Sequence, residues 1–179
     1  MNGNNGSVWT DYALIDSGGF EKLERYGNYV LRRPEPQAVW PKRLAENDWV
    51  NQAHAWFKRQ KGSSVGDTGE RGEWLIKPGM PDRWTVRYTD LERPLIFRLS
   101  MTAFKHIGLF PEQVENWRFV YQRTRALHTA EPAVLNLFAY TGGASLAAAA
   151  AGAVVTHVDA VKPVITWARE NAEASGFST

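Results

Sequence analysis

The chain has 179 residues, 44% of them hydrophobic and 22% charged, and a formal net charge of only +2. That is an ordinary globular balance, enough for one medium domain or a small domain with part of another, and it neither demands nor excludes an anionic partner. There is no cysteine, which removes disulfides, thiolate metal sites and cysteine nucleophiles. The four histidines, His54, His106, His128 and His157, lack the short paired spacings of a zinc site. No metal is therefore expected.

The N-terminal stretch Met1 to Thr10 is polar, rich in glycine and asparagine, and does not read as a signal peptide. The longest apolar stretch, Ser145 to Val155, is dominated by alanine and too short to span a bilayer. These features lead to the expectation of a cytoplasmic protein with no membrane partner.

Through the first hundred residues short strands alternate with turns. Aromatic and β-branched residues mark strands at Tyr12 to Ile15, Tyr29 to Arg32, Trp74 to Ile76, Trp84 to Tyr88 and Leu95 to Leu99. Pro34, Pro36, Pro41, Pro78 and Pro81 punctuate them. The stretch Gly62 to Gly72 holds four glycines without apolar periodicity. Lacking a lysine followed by serine or threonine, it reads as a surface loop and not a phosphate-binding P-loop.

After Thr102 the pattern changes. Pro111 to Arg125 has proline and Glu112 in its first turn, Arg123 and Arg125 in its last, and Val114, Trp117, Val120 and Tyr121 on one stripe, which predicts a helix. Val134 to Phe138 reads as a buried strand, Tyr140 to Gly143 as a turn and Ala144 to Ala151 as a small-residue helix. Val154 to Val158 is a second buried strand ending at Asp159. Pro163 then opens a last helix with Val164, Trp167, Ala168 and Ala172 inward and Gly176 as its stop. Strand and helix alternating at this spacing form a βαβ unit with a parallel sheet. The chain thus divides into a β-rich region over 1–100, a connecting segment over 101–131 with its helix at 111–125, and the first part of an α/β domain over 132–179.

In such a unit, ligands bind beyond the carboxyl ends of the strands. The loop Ala139-Tyr140-Thr141-Gly142-Gly143-Ala144 lies there, with glycines that let a ligand approach the backbone and a following helix whose N–H groups face it. Asp159 lies at the tip of the next strand, 17 residues beyond Gly142, where a carboxylate suits a ribose diol. A dinucleotide fold requires G-x-G-x-x-G. Here two adjacent glycines follow a bulky Tyr140, which suits a ligand with a ribose and an amino-acid tail and no phosphate, as in S-adenosylmethionine (SAM). The alternative for these residues alone is a simple strand-to-helix turn beside a solvated aspartate.

The string V-L-N-L-F-A-Y-T-G-G-A-S from Val134 to Ser145 closely resembles the first SAM-binding motif of the ribosomal-RNA large-subunit methyltransferase-like family. T-H-V-D-A-V-K-P-V-I-T-W-A-R-E-N-A-E-A, from Thr156 to Ala174, resembles the second motif of that family and its helix. F-K-H-I-G-L-F-P-E-Q-V-E-N-W, from Phe104 to Trp117, is similar to the segment preceding this fold in a bacterial branch, and Tyr12 to Trp40, with D-S-G-G-F-E-K-L-E-R-Y-G, to that branch's N-terminal β region.

The fold implied is an incomplete Rossmann-like class I methyltransferase domain of α/β type, preceded by a small β-rich region. The activity implied is SAM-dependent methylation of RNA, ribosomal RNA foremost. By the same resemblance, Ala139, Tyr140, Thr141 and Gly142 hold the methionine part of SAM and Asp159 the ribose. Asn136 stands where many class I methyltransferases carry an acidic residue, beside Phe138 of the same motif. Val161 replaces a small polar residue. Phe110 and Gln113 either line the methionine side or serve as a hydrophobic staple and a helix-start residue.

The family's acceptor loop, Asn/Asp-Pro-Pro-aromatic, is absent from the sequence. The resulting expectation is a C-terminally truncated enzyme, inactive alone, whose apolar sheet edge lies open. Basic residues beside aromatics at Trp40-Pro41-Lys42-Arg43 and Trp56-Phe57-Lys58-Arg59-Gln60-Lys61 serve either RNA stacking and phosphate contacts or simple anchoring of the β region. Two other functions stay open, a non-catalytic RNA-binding remnant and a nicotinamide-dependent oxidoreductase.

Overall fold

A computed structural model describes residues 9–59 and 71–177. The N-terminal segment before Trp9 and most of the glycine-rich stretch Gly62 to Gly72 lie outside the described residues. The chain forms two compact units: residues 10–84 with 99–107, and Trp9 with residues 85–98 and 108–177.

The first unit is built on a five-stranded sheet in the order β1-β2-β3-β4-β5. Its strands are β1 (Tyr12–Gly18), β2 (Glu21–Tyr26), β3 (Tyr29–Pro34), β4 (Ala55–Arg59) and β5 (Gly72–Ile76). The first three form an antiparallel meander, with a bulge between Leu14 and Asp16. Gly19 and Gly27, at φ 57° and 61°, make the turns. The chain then crosses through the short helix α1 (Glu46–Gln52), so that β4 pairs parallel with β3, and β5 returns antiparallel. Leu23, Val30, Trp49 and Ala53 form a buried cluster, with Ile15 and Leu44 against it.

A buried polar network joins that sheet. Glu24, Tyr26 and Arg33 are buried. The Arg33 guanidinium donates to Glu24 Oε2 through Nη2 at 2.6 Å and Nε at 3.0 Å, and also to the Tyr26 hydroxyl. Asp16, equally buried, accepts from the backbone N–H groups of Ser17, Arg43 and Leu44 and from the Trp49 indole N–H at 2.9 Å. Burial pushes its carboxyl up, but the N–H groups of Leu44, Trp49, Arg43 and Ser17 together bring it down to about 2.

The sequence does not announce β2, α1 or β4. β2 carries four charged residues in six (Glu21, Lys22, Glu24 and Arg25), and Glu24 is buried only because Arg33 on the neighbouring strand neutralises it. α1 has seven residues, too few to show a period.

β6 (Arg83–Tyr88) and β7 (Leu95–Ser100) pair as a two-stranded sheet, where aromatic and β-branched residues predict strands. In the second unit Pro111–Gln113 forms one 3-10 turn and α2 (Val114–Arg125) follows, so the predicted helix begins with a tighter turn. Trp117 is buried and stacks on Phe97 at 5.0 Å, while Val114, Val120 and Tyr121 beside it are half-buried, as their stripe predicts.

β8 (Ala133–Leu137), α3 (Gly143–Ala150), β9 (Val154–Val158) and α4 (Lys162–Ala174) then form the βαβα element. β8 and β9 are parallel, with Asn136 opposite His157. Phe138 is excluded from the strand by its φ of 55°. Proline lies in the first turn of α4. Alternate residues of both strands turn inward. Leu135, Leu137, Val154 and Val158 face away and are 43–62% exposed, leaving one side of this two-stranded sheet apolar and open.

Candidate cofactor cleft

The candidate site is the connection from β8 to α3 with the tip of β9. Three residues there hold left-handed backbone: Phe138 at φ 55°, Tyr140 at 51° and Gly142 at 95°. For the two aromatics that conformation is strained, and fixed partners maintain it. The Tyr140 N–H donates to Asp159 Oδ2 at 2.9 Å, and the Val161 N–H donates to Asp159 Oδ1 at 2.9 Å. These bonds, Val161's first, hold the Asp159 carboxyl below the usual carboxylate range. Each oxygen keeps lone-pair capacity for a further donor.

Thr141 is buried and tied at both ends. Its hydroxyl donates to the Gly108 carbonyl at 2.6 Å, and its own carbonyl accepts from the Asn171 amide at 2.9 Å. Asn171, fully buried on α4, also accepts from the Arg98 N–H at 2.8 Å. One side chain thus fastens the loop and β7 to the last helix. Gly108 is glycine of necessity, since a Cβ there would lie 2.1 Å from the Trp167 ring. A Cβ on Gly143 would meet the Trp117 indole at 2.6 Å, so α2 and α3 approach over a glycine.

Over this loop lies a cleft of about 370 Å³. Its lining includes Phe110, Gln113, Asn136, Phe138, Ala139, Tyr140 and Thr141, together with Leu109, Trp117 and Ala144. Phe110 and Tyr140 rings lie 5.0 Å apart, and Phe138 is 92% exposed. Gln113, on the 3-10 turn, is exposed and accepts from the Asn116 amide. The structure thus gathers the residues singled out from the sequence on one cleft, apart from two. Gly142 lines a separate cavity of about 270 Å³ among α3, β9 and α4. Asp159 reaches the cleft's loop through the Tyr140 N–H and is not among the lining residues.

Polar residues of this unit that escaped the sequence reading include Asn171, Ser145 and His157. Asn136 Nδ2 donates to Ser145 Oγ at 2.9 Å, which is itself 2.9 Å from His157 Nδ1. Burial pushes the His157 imidazole below its ordinary value, with Asp159 opposing. The register of two parallel strands creates this chain, and a pairing between strands has no local signature.

What the site can do chemically follows from these groups. The cleft offers an apolar and aromatic wall, and the first turn of α3 supplies N–H groups with no side-chain cap. Asp159 is an anion at the loop's far end. Among the described residues no group of His, Cys, Asp or Glu could hold a metal ion, and no helix is long and apolar enough to cross a membrane.

No family model matches the chain. It is 40% identical over 162 residues to the ribosomal RNA large subunit methyltransferase K/L of Shewanella sp. (strain W3-18-1), covering 87% of this chain and 22% of the relative. A solved SAM-dependent methyltransferase from Agrobacterium tumefaciens is 41% identical with a TM-score of 0.81, covering 96% of this chain and 50% of that one. Another methyltransferase, solved in complex with S-adenosylhomocysteine, agrees in fold alone. Its TM-score is 0.65 at 17% identity, over 97% of this chain and 44% of that one.

The fold is that of the class I SAM-dependent methyltransferases. Within that class the chain is similar, at 40% identity, to the ribosomal RNA large subunit methyltransferases K/L. It spans about a fifth of the length of the Shewanella relative and half of the Agrobacterium protein.

Proposed function

We propose that the cleft binds SAM and that the chain supplies the cofactor half of a cytoplasmic methyltransferase acting on RNA, with ribosomal RNA as substrate. The observation that carries the reading is the clamp of Asp159 on the Tyr140 N–H. It joins the tip of β9 to the loop after β8, where a parallel sheet receives a nucleoside. In this reading Asp159 accepts from the ribose hydroxyls. Ala139, Tyr140, Thr141 and Gly142 surround the methionine portion, and the free N–H groups of α3 meet its carboxylate. Phe110 and Gln113 close the methionine side and Phe138 flanks the entrance.

Methyl transfer from a sulfonium is an in-line displacement, so the enzyme's task is to place the acceptor atom behind the methyl group. The 179 residues contain no Asn/Asp-Pro-Pro-aromatic segment to hold an acceptor base, so the expected behaviour is cofactor binding without turnover. The name of the Shewanella relative supports RNA as substrate. The two basic clusters differ in what they offer it. Lys42 is bound to Glu21 and Glu46 and lies 4.0 Å over the Trp49 ring, an internal role, whereas Arg43 touches Asp16 at 3.4 Å and keeps its side chain exposed. Trp56, Lys58 and Arg59 of β4 are exposed and suit a nucleic-acid contact; Gln60 and Lys61 lie outside the described residues.

The test is calorimetric titration of the chain with S-adenosylhomocysteine, with NAD as competitor. Saturable binding that Asp159→Ala abolishes and NAD does not displace is expected. Preference for NAD would replace this reading with an oxidoreductase. RNA binding that survives Asp159→Ala, with no cofactor affinity, would replace it with a non-catalytic RNA-binding module.

A further inference from the structure

One face of the five-stranded sheet is covered by α1 over part of its width only. Residues two apart on a strand share a face, and so do residues paired across neighbouring strands. Leu23 and Val30, clustered with Trp49 of α1, therefore share their face with Arg32, whose guanidinium lies 5.5 Å over the Trp49 ring. Arg32 pairs with Trp56 of β4, and Trp56 with Leu75 of β5. Further along the same face Lys58 pairs with Glu73, and Arg71 pairs with Phe104. The side-chain contacts agree: Lys58 Nζ lies 4.0 Å from Glu73 Oε1, and the Arg71 guanidinium 5.6 Å over the Phe104 ring. Over β4 and β5 this face is open. Trp56 is 36% and Phe104 42% exposed, and Lys58, Arg71 and Glu73 are exposed beside them.

The open area thus carries two aromatic rings and two cations against one carboxylate. Both side chains of the Lys58–Glu73 pair are about two-thirds exposed, so solvent screens the pair and it holds Lys58 weakly. Arg71 rests on a ring and meets no carboxylate among the described residues. Arg59, at the end of β4, adds a third cation at the margin. This excess of positive charge suits a polyanion. Aromatic rings on an open sheet stack unpaired bases, while flanking cations take the phosphates; a duplex keeps its base faces covered. From Leu75, the partner of Trp56, to Arg71, the partner of Phe104, is roughly 13 Å along β5. The two rings therefore suit different bases of one strand.

We propose that this open half-face, Trp56 and Phe104 with Lys58 and Arg71, is a stacking surface for single-stranded RNA. The inference rests on the reading that the chain acts on RNA, and it adds where and in what form the RNA is held: as an unpaired segment lying across β4 and β5.

The experiment follows the fluorescence anisotropy of an end-labelled RNA of about 12 nucleotides, single-stranded or annealed to its complement, titrated with the 179-residue chain. The wild-type chain should prefer the single strand. Trp56→Leu and Phe104→Leu, apolar but without a stacking face, should each weaken that binding about fivefold or more, and Trp56→Phe should restore most of it. Lys58→Gln and Arg71→Gln should each lower the slope of log affinity against log salt by about 0.7. A purely structural role would register in the thermal midpoint, which should stay at the wild-type value in all five variants. Single-strand affinity unchanged in both leucine variants overturns the inference and leaves RNA as the substrate, held elsewhere. Duplex bound as tightly as the single strand overturns it as well. If the folded wild-type chain leaves both RNAs unbound, the open face belongs to a protein contact. The inference then fails together with the RNA reading, while the cofactor titration still decides SAM binding.

Discussion

Asn171 offers the sharpest test of how the cleft is held. It is fully buried, its oxygen accepts from the Arg98 N–H, and its nitrogen donates to the Thr141 carbonyl. Asn171→Ala strands the buried Thr141 carbonyl and the part-buried Arg98 N–H, at about 1–3 kcal/mol each when left unpaired. The sum, at least about 2 kcal/mol, is a large share of the roughly 5–15 kcal/mol that holds a domain together. Amide hydrogen exchange at Arg98 reads this directly, because that N–H is one of the two stranded groups. Its exchange should accelerate about 30-fold or more, from the same minimum energy. Asn171→Asp separates the two bonds: the acceptor for Arg98 survives, while a carboxylate is set against the Thr141 carbonyl. It should protect Arg98 better than alanine does and still loosen the loop. If both variants exchanged at the wild-type rate, the tether would carry no weight and the loop's conformation would have to come from elsewhere.

Other consequences can be checked alongside. Gly143→Ala drives a methyl group to within 2.6 Å of the Trp117 indole; it should destabilise the second unit by about 1–3 kcal/mol, seen as a lowered thermal midpoint. Asp16 contributes stability wherever it is ionised. Its folded value of about 2 lies below the ordinary 3.8, so the contribution is complete above the ordinary value and lost as the pH falls through 2. An acid titration followed by exchange at the Leu44 amide should show that loss, and Asp16→Asn should remove it. His157 works in the other unit and at higher pH. Its folded value is depressed below 6.5, so the unfolded chain binds a proton that the folded one resists, and stability should begin to fall below that pH. His157→Asn should level that limb of the stability profile.

The legible parts of this protein are those where local chemistry and tertiary role agree. The apolar runs of β8 and β9, the glycines between β8 and α3, and the proline of α4 each announce their element, and the residues proposed to hold the cofactor sit on them. What stayed hidden depends on partners distant in sequence. Glu24 on β2 looks solvated until Arg33 is seen beside it. Asn171 and Ser175 look like the polar face of α4, yet both are buried because they bond to the backbone of β7 at Arg98 and Ile96. Ser145 and His157 meet only because β8 and β9 pair in one register. Lys42 beside Trp40 likewise gives no local sign that Glu21 and Glu46, from other parts of the chain, bind it.

The glycine beneath Trp117 also gives the molecule a built-in optical reporter. Of the eight tryptophans in the sequence, Trp117 belongs to the described lining of the cleft, with its indole against the backbone at the start of α3. Indole emission responds to the polarity and quenching groups around the ring. A ligand entering the cleft would change both, and Trp117→Phe would identify how much of the signal arises there. Occupancy of the site should thus be readable as a shift in colour and intensity from the unlabelled chain, at concentrations too low for a heat signal.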